Sequence, residues 1–294
     1  MIVHLIDGTY ELFRHFYGIR RMKKGDPPFG AVRGVLQMTL QMIETGATHI
    51  GVATDHVIES FRNELWDGYK TGAGIDAALW AQFHPLEEAL AAMGVVVWPM
   101  VDLEADDALA SAAALAAANP AVEKVSIWTP DKDLAQCVVA DRVVQVDRKS
   151  GHVRDAEGVR AKFGVAPESI PDYLALVGDA ADGYPGLAGF GAKSTAALLS
   201  RFVHLEAIPA DGNEWRAGIG GSGRLAATLS EQRELAMLFR LLATLRSDAE
   251  LFDDVDALRW QGPTPYFAAY AEKIGAPDLI RRAESVINSS LTKL

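Results

Sequence analysis

Acidic residues follow the predicted strands of this sequence at the points where each strand ends. Asp7, Asp55 and Asp131 come directly after short runs rich in apolar or β-branched residues. In an open parallel sheet, ligands bind outside the carboxyl ends of the strands. We therefore expect these three carboxylates to converge on one crevice.

Further acids extend this set. Glu104 and Asp107 lie three residues apart in a Glu-Ala-Asp-Asp block that opens a predicted helix, so they share a helix face. The other members are Asp106, Asp133, Asp179 and Asp182. Each one alone could simply cap a helix. Clustered carboxylates repel one another unless they are protonated or bound to a cation, and oxygen ligands favour Mg²⁺ or Mn²⁺. The residues indicate metal-dependent phosphodiester chemistry, with helix capping as the alternative.

A glycine-rich turn runs into a predicted helix in the second half of the chain. Gly186, Gly189 and Gly191 would present backbone N–H groups to a phosphate, and Lys193-Ser194 follows them. This pattern resembles a helix–hairpin–helix, which grips a nucleic-acid backbone without reading bases. It lacks the spacing of a Walker A motif, and a plain turn is the alternative.

The elements that must position these residues alternate between strands and helices in the first half. We predict strands at 2–6, 48–54, 95–98, 124–129 and 143–147, and helices at 31–45, 79–93 and 104–118. This alternation is typical of a parallel sheet with crossover helices. Helical periodicity dominates from about residue 155. We predict an α/β domain over 1–150 and a helical region over 151–294.

The composition limits the classes of function. The 294 residues include 28 Lys and Arg against 39 Asp and Glu, a net charge of −11, which is unlike a general nucleic-acid coat. The single cysteine excludes an intrachain disulfide and a cysteine zinc site. No export signal or membrane-spanning apolar run is visible, so we expect a cytoplasmic protein. His4, His49, His56 and His84 show no spacing that demands a metal or base role.

Taken in chain order, these blocks resemble the 5′-nuclease superfamily. The similarity is greatest to the 5′–3′ exonuclease domain of bacterial DNA polymerase I and to stand-alone bacterial flap endonucleases. The matching blocks are Leu5-Ile-Asp7-Gly8, Asp55 with Ser60-Phe-Arg62, Tyr69-Lys70, Glu104-Ala-Asp-Asp107, Thr129-Pro-Asp-Lys-Asp133, the stretch from Gly178 to Thr195, and Leu242-Ala-Thr-Leu-Arg246.

The resemblance implies a fold and a set of roles. The fold is a PIN-like α/β nuclease domain with a helical arch at about 62–95, followed by a helix–three-turn–helix region with a helix–hairpin–helix at about 174–202. Asp7, Asp55, Glu104 and Asp106 would serve one Mg²⁺ or Mn²⁺ ion with Asp107 close by, and Asp131, Asp133, Asp179 and Asp182 would serve a second. Arg62 and Lys70 would act near the scissile phosphate, and Tyr69 would stack on a base. A K⁺ ion is implied at the hairpin.

The implied activity is 5′–3′ exonuclease and flap endonuclease cleavage of DNA in replication and repair, including removal of RNA primers. The implied substrates are DNA with 5′ ends, flaps or junctions, bound by a monomer with no membrane attachment. Two alternatives stay open. One is a protein that binds branched DNA with little or no catalysis, and the other is a PIN-like ribonuclease.

Two segments depart from or add to this pattern. Between Arg62 and Val95 the only basic residues are Arg62 and Lys70, against five acids, so we expect an arch that binds phosphate weakly. The segment from Phe13 to Lys24, which includes Arg14, is basic with interleaved aromatics. It would either contact DNA or form a helix whose aromatic side chains pack inward.

Overall fold

The computed structural model describes residues 1–22, 27–215 and 219–291, apart from the side chains of Arg21, Met22, Ser290 and Leu291. Lys23 and Lys24 of the predicted basic segment lie outside the described residues. The chain forms two compact units, each discontinuous in sequence. The first unit comprises Met1–Ile58, Gly72–Thr129 and Ser247–Leu294, and the second comprises Glu59–Thr71 and Pro130–Arg246.

The first unit is built on parallel strands. Its elements are β1 (Ile2–Asp7), α1 (Gly8–Met22), α2 (Gly30–Glu44), β2 (His49–Asp55), α4 (Ala77–Trp80), α5 (Phe83–Ala92), β3 (Val96–Met100), α6 (Ala105–Ala118), β4 (Lys124–Trp128), α12 (Phe267–Lys273) and α13 (Asp278–Leu291). β1 pairs in parallel with β2 and β4, and β2 pairs in parallel with β3, which gives the order β3-β2-β1-β4. Asp7 is in register with Ala53, so the Asp55 end of β2 lies at the same sheet edge.

Apolar strands and one face of each helix form the core of this unit. Ile6, Val52, Leu36 and Leu86 are each at most 1% exposed. The segment after residue 246 also contributes, because Leu279 on α13 is fully buried in the same cluster. The first unit therefore depends on both ends of the described chain.

The second unit is mainly helical. Its elements are α3 (Arg62–Leu65), β5 (Val143–Asp147), β6 (His152–Arg154), α7 (Ala156–Phe163), α8 (Ile170–Val177), α9 (Ala192–Phe202), α10 (Ser222–Glu231) and α11 (Arg233–Ala243). β5 and β6 pair antiparallel. Leu174, Leu198 and Phe239 lie at the centre of its apolar core, each at most 1% exposed.

The predicted strands and crossover helices are confirmed, as is the α/β class with a helical second part. The compact units do not follow a single cut at residue 150, because 59–71 and 130–150 group with the helical unit and 247–294 group with the first. The boundary at residue 150 stays a prediction.

The segment of the expected arch, at about 62–95, contains two short helices and one longer helix, and its role as an arch stays a prediction. α3 and α4 are four-residue helices, whereas α5 is a core helix with Leu86 and Leu90 buried. Apolar side chains on one face of α5 explain this placement, because they are more stable in the core than in water. Within the described residues, no helix has the length and apolar character needed to cross a bilayer.

Candidate metal centre and nucleic-acid interface

Asp7 is held firmly at the end of β1. Its Oδ1 accepts a hydrogen bond from the Tyr10 backbone N–H at 2.8 Å, and its Oδ2 accepts one from the Thr129 hydroxyl at 3.0 Å. The side chain is 6% exposed. A short strand end followed at once by α1 thus fixes the orientation of this carboxylate.

Asp55 and Glu104 are linked through the start of α6. Asp55 Oδ1 accepts a hydrogen bond from the Ala105 backbone N–H at 2.8 Å, so the end of β2 is tied to the residue that follows Glu104. Glu104 and Asp107 form a capping box, in which the Glu104 N–H donates to Asp107 Oδ2 at 3.0 Å. Helix capping therefore accounts for Asp107, while Asp106 is half-buried on the same turn.

The second unit holds a tight carboxylate cluster. One carboxylate oxygen from each of Asp133, Asp179 and Asp182 lies within 4.8 Å of the others, and all three side chains are buried. Asp131 is exposed beside them, and its Oδ1 accepts the Asp133 N–H at 3.0 Å. The structure thus brings together the four acids that the sequence assigns to the second ion.

Two lysines supply positive charge to this cluster. The Lys132 ammonium lies 2.7 Å from Asp179 Oδ1, and the Lys70 ammonium lies 3.0 Å from Asp182 Oδ1. Burial lowers the pKa of Lys132, but the hydrogen bond and charge of Asp179, with the charges of Asp133 and Asp131, outweigh this effect, so the pKa is raised overall. Sequence reasoning missed Lys132, although it stands between Asp131 and Asp133.

The cluster fits a hard divalent cation. Asp133 Oδ1 is buried and has no hydrogen-bond partner among the described residues. Burial raises the pKa of Asp133 well above its ordinary value, and the charges of Asp131, Asp182 and Asp179 add to this effect. A bound cation would provide a partner for the Asp133 oxygen and would offset the buried negative charge. The donor set is all oxygen, which suits Mg²⁺ and Mn²⁺.

A sharp turn positions Asp179 and Asp182. The Asp179 N–H donates to the Tyr184 carbonyl at 2.8 Å, and the Tyr184 N–H donates back at 3.0 Å. Gly183 lies inside this turn at φ +84°, and a Cβ there would overlap the Gly68 carbonyl oxygen. Burial, with the charges of the nearby aspartates, raises the pKa of Tyr184, so its buried phenol stays neutral. Sequence reasoning also missed Tyr184.

Arg62 and Tyr69 are buried in the structure. Arg62 is 1% exposed, and its guanidinium donates to the backbone carbonyls of Leu242 at 2.8 Å and Thr244 at 3.1 Å. Tyr69 is 4% exposed within the apolar core of the second unit. These contacts are structural, and the predicted roles of Arg62 at the phosphate and Tyr69 in stacking stay predictions.

Arg14 is paired within its own helix. Its Nε donates to Glu11 Oε2 at 2.7 Å. Phe16 on the same helix is 3% exposed, and the Arg20 guanidinium lies over its ring and contacts Asp76 at 2.8 Å. The described part of the basic segment thus forms a helix with Phe16 packed inward and Tyr17 exposed, and DNA contact by Arg14 stays a prediction.

The glycine-rich turn leads into α9 as predicted. Gly186 and Gly189 have positive φ values of +69° and +87°, which favour glycine. Gly191 caps α9, and the Ser194 hydroxyl lies 3.1 Å from the Gly191 N–H that donates to it. Lys193 is exposed in the first turn of α9. The loop thus places a helix N-terminus and a lysine together at the surface, an arrangement that suits phosphate.

Known proteins share this fold and these blocks. Residues 2–164 match the family described as the 5′-3′ exonuclease, N-terminal resolvase-like domain, and residues 165–265 match the 5′-3′ exonuclease, C-terminal SAM fold. A bacteriophage T5 flap endonuclease structure superposes with a TM-score of 0.65 at 18% identity, covering 98% of each chain. The fold is therefore that of the flap nucleases.

The sequence relatives define the family. DNA polymerase I of Pseudomonas aeruginosa is 34% identical over 95% of this chain, which spans only 31% of that polymerase. Flap endonuclease Xni of Edwardsiella ictaluri is 31% identical over 89% of this chain and 99% of its own length. This chain belongs to the 5′-3′ exonuclease family.

Proposed function

We propose that this chain is a metal-dependent 5′–3′ exonuclease and structure-specific flap endonuclease that hydrolyses DNA phosphodiester bonds by a two-metal mechanism. The observation that carries the proposal is the buried cluster of Asp133, Asp179 and Asp182, with an unpartnered oxygen on Asp133. Full-length similarity to a protein named flap endonuclease Xni supports it. So does a T5 flap endonuclease structure described as a complex with DNA and metal ions.

The carboxylates of each unit have a defined task in this proposal. Asp133, Asp179, Asp182 and Asp131 hold one divalent cation, and Asp7, Asp55, Glu104 and Asp106 support the other. Bound divalent ions supply Lewis-acid activation of water and stabilise charge on the phosphate. Mg²⁺ is the expected ion, with Mn²⁺ as a substitute, because every donor is a hard oxygen.

The lysines set the charge around the carboxylates. Lys70 and Lys132 each neutralise one carboxylate of the second unit. A bound cation would release part of this pairing and leave Lys70 available to the phosphate, where its ammonium would stabilise the developing negative charge. This is the role predicted for Lys70 from the sequence.

The remaining parts of the proposal concern the nucleic acid. The glycine-rich turn and Lys193 bind the DNA backbone, with K⁺ at the hairpin, and recognition is by shape because backbone contacts carry no base information. The substrates are 5′ ends, flaps and junctions, including RNA-primed ends. The protein acts as a monomer in the cytoplasm.

A cleavage assay with matched variants tests the proposal. A 5′-labelled flap duplex and a blunt duplex are incubated with the protein in Mg²⁺, Mn²⁺ or EDTA at low salt. We expect metal-dependent release of a short product by the wild type and by Asp141→Asn, whose side chain is exposed in the second unit. Asp179→Asn should bind the flap but not cleave it.

The other outcomes separate the alternatives. Junction binding without cleavage by the wild type would favour the branched-DNA-binding interpretation. Cleavage of an RNA strand in preference to the flap would favour the ribonuclease. Cleavage by Asp179→Asn at the wild-type rate would overturn the metal assignment.

A further inference from the structure

A histidine and glutamate cluster lies in the first unit and takes no part in the proposed nuclease chemistry. One potential ligand atom from each of His56, His84 and Glu87 lies within 4.8 Å of the others. His56 follows the end of β2, and the other two residues lie on α5. We propose that these three side chains form a binding site for a transition-metal ion of the zinc class.

The spacing on α5 suits a shared ligand. His84 and Glu87 are three residues apart, so both side chains project from the same face of the helix. His56 approaches that face from the strand end, where its backbone N–H donates to the Met100 carbonyl at 2.9 Å. Ligands therefore come from two elements that are both fixed in the core of this unit.

The three side chains are already close to a coordinating arrangement. His56 Nδ1 lies 2.8 Å from Glu87 Oε2, and the imidazole rings of His56 and His84 lie 4.2 Å apart at 82°. Zinc–nitrogen and zinc–oxygen bonds of about 2.0–2.2 Å at a tetrahedral angle would place two ligand atoms about 3.4 Å apart. Admitting the ion therefore needs the His56–Glu87 pair to open by about 0.6 Å, and the His84 ligand atom, which lies within 4.8 Å of both, to reach a similar separation.

An outer hydrogen bond orients the carboxylate. The Thr54 hydroxyl donates to Glu87 Oε1 at 2.8 Å, which leaves Oε2 directed to His56 Nδ1. Metal-binding carboxylates in proteins commonly have such a supporting partner. The Glu87 side chain is 11% exposed and that of His56 is 34% exposed, so the site is buried at Glu87 and open to solvent at His56.

The donor chemistry separates this site from the carboxylate clusters. Two imidazoles and one carboxylate favour Zn²⁺, Co²⁺ or Ni²⁺, whereas Mg²⁺ prefers an all-oxygen set. Three protein ligands leave at least one position for water or another exogenous ligand. Occupancy would join the end of β2 to α5, next to Asp55 in the sequence. We therefore expect zinc to stabilise the first unit.

Metal titration tests the site without reference to nuclease activity. Metal-free full-length protein is titrated with Zn²⁺ by calorimetry in excess Mg²⁺, which occupies the all-oxygen clusters, and Co²⁺ absorption reports imidazole coordination. We expect the wild type to bind Zn²⁺ at the site and to gain thermal stability from it. His84→Ala and Glu87→Gln should weaken this binding at least about 10–100-fold, and Thr54→Val by about 10-fold.

Matched variants make the result decisive. His152→Ala removes an exposed histidine from the second unit and should bind Zn²⁺ as the wild type does. Asp179→Asn removes a carboxylate of the other cluster and should also retain binding. Zinc binding that survives His84→Ala, is lost in Asp179→Asn, or is absent from the wild type would overturn the proposal. The last result would leave His56 and Glu87 as an ordinary hydrogen-bonded pair.

Discussion

At the residue scale, the buried carboxylate of Asp133 destabilises the folded protein and also serves as a proposed metal ligand. Its carboxylate is buried beside two other buried acids, and one of its oxygens has no hydrogen-bond partner among the described residues. Such an arrangement destabilises a folded protein unless a cation or a proton compensates it. Cation binding and stability are therefore coupled at this position.

Asp133→Asn should raise the stability of the cation-free protein while reducing cleavage at least about 100-fold. Burial and the charges of Asp131, Asp182 and Asp179 raise the pKa of Asp133, so the folded state retains a proton that the unfolded state loses. Wild-type stability in EDTA should fall as pH rises from the ordinary aspartate pKa towards the raised one. The asparagine variant should lack this fall.

Thermal unfolding in EDTA and in Mg²⁺ across this pH range measures the effect. Mg²⁺ should stabilise the wild type more than Asp133→Asn, because the variant has lost a ligand and a charge. Asp141→Asn, exposed in the same unit, should behave as the wild type. Full cleavage by Asp133→Asn, or lower stability of this variant in EDTA, would contradict the assignment.

Arg62 has a structural role in addition to its predicted role at the scissile phosphate. Arg62→Met should destabilise the second unit by about 2–4 kcal/mol, because the buried carbonyl of Leu242 and the partly buried hydrogen bond to the Thr244 carbonyl would lose their donor. Urea unfolding measures the loss, with the exposed Arg160→Met as control. If Arg62→Met unfolds as the wild type does, the guanidinium contacts do not matter for stability.

At the scale of elements, the sequence predicted the strands and crossover helices well because periodicity is a local property. The observed element ends lie within a residue or so of the expected positions: β1 ends at Asp7, β2 ends at Asp55 and α6 begins at Ala105. The division of the acids into two sets came from the family resemblance, but the placement of Asp7 and Asp55 at one sheet edge was predictable, because the carboxyl ends of parallel strands share one edge. The burial of α5 was not, because its apolar face is equally compatible with an arch and a core.

Contacts between residues distant in the sequence account for the other features that the sequence did not predict. The environment of Arg62 depends on carbonyls 180 and 182 residues away, which no local pattern reveals. His56, His84 and Glu87 meet because the end of β2 and α5 belong to one unit. Of that cluster, only the three-residue spacing of His84 and Glu87 was visible in the sequence.

The turn that carries Asp179 and Asp182 should tolerate no side chain at its glycine. Gly183→Ala should destabilise the second unit and reduce cleavage, because a Cβ would overlap the Gly68 carbonyl oxygen and φ is positive. Gly220→Ala is the matched control, since a Cβ there meets nothing within 4 Å. Chemical denaturation of the two variants should show a loss for Gly183→Ala alone. Equal stability would contradict the steric explanation.

The N-terminus of α9 should contribute to DNA affinity through charge. Lys193→Ala should weaken binding to duplex and lower the slope of log affinity against log salt by about one, because one phosphate contact is removed. Fluorescence anisotropy over a salt series measures the slope. Lys149→Ala, exposed in the β5–β6 turn, is the control. An unchanged slope for Lys193→Ala would exclude this lysine from the interface.

At the scale of the whole molecule, two properties matter. The acidic net charge limits DNA affinity, and the first unit is built from segments that are distant in the sequence. A net charge of −11 opposes DNA binding, so affinity must depend on local basic groups and bound cations and should fall steeply with salt. The first unit is completed by residues 247–294, whereas the matched family models end at residue 265. α12 and α13 therefore form a structural part of this protein beyond the region that the family models match.

Leu279 tests whether this last segment is needed for folding. The side chain is fully buried in the core of the first unit, so Leu279→Ala should reduce stability by about 2–5 kcal/mol through lost burial and a residual cavity. Leu115→Ala is the control in the same unit, because Leu115 is 38% exposed and its truncation should change stability by less than about 0.5 kcal/mol. Urea unfolding monitored by fluorescence compares the two.

A chain ended after residue 265 should lose more stability than Leu279→Ala, since it removes every apolar contact of α12 and α13. If that shortened chain unfolds at the wild-type urea concentration, the segment is an appendage rather than part of the core.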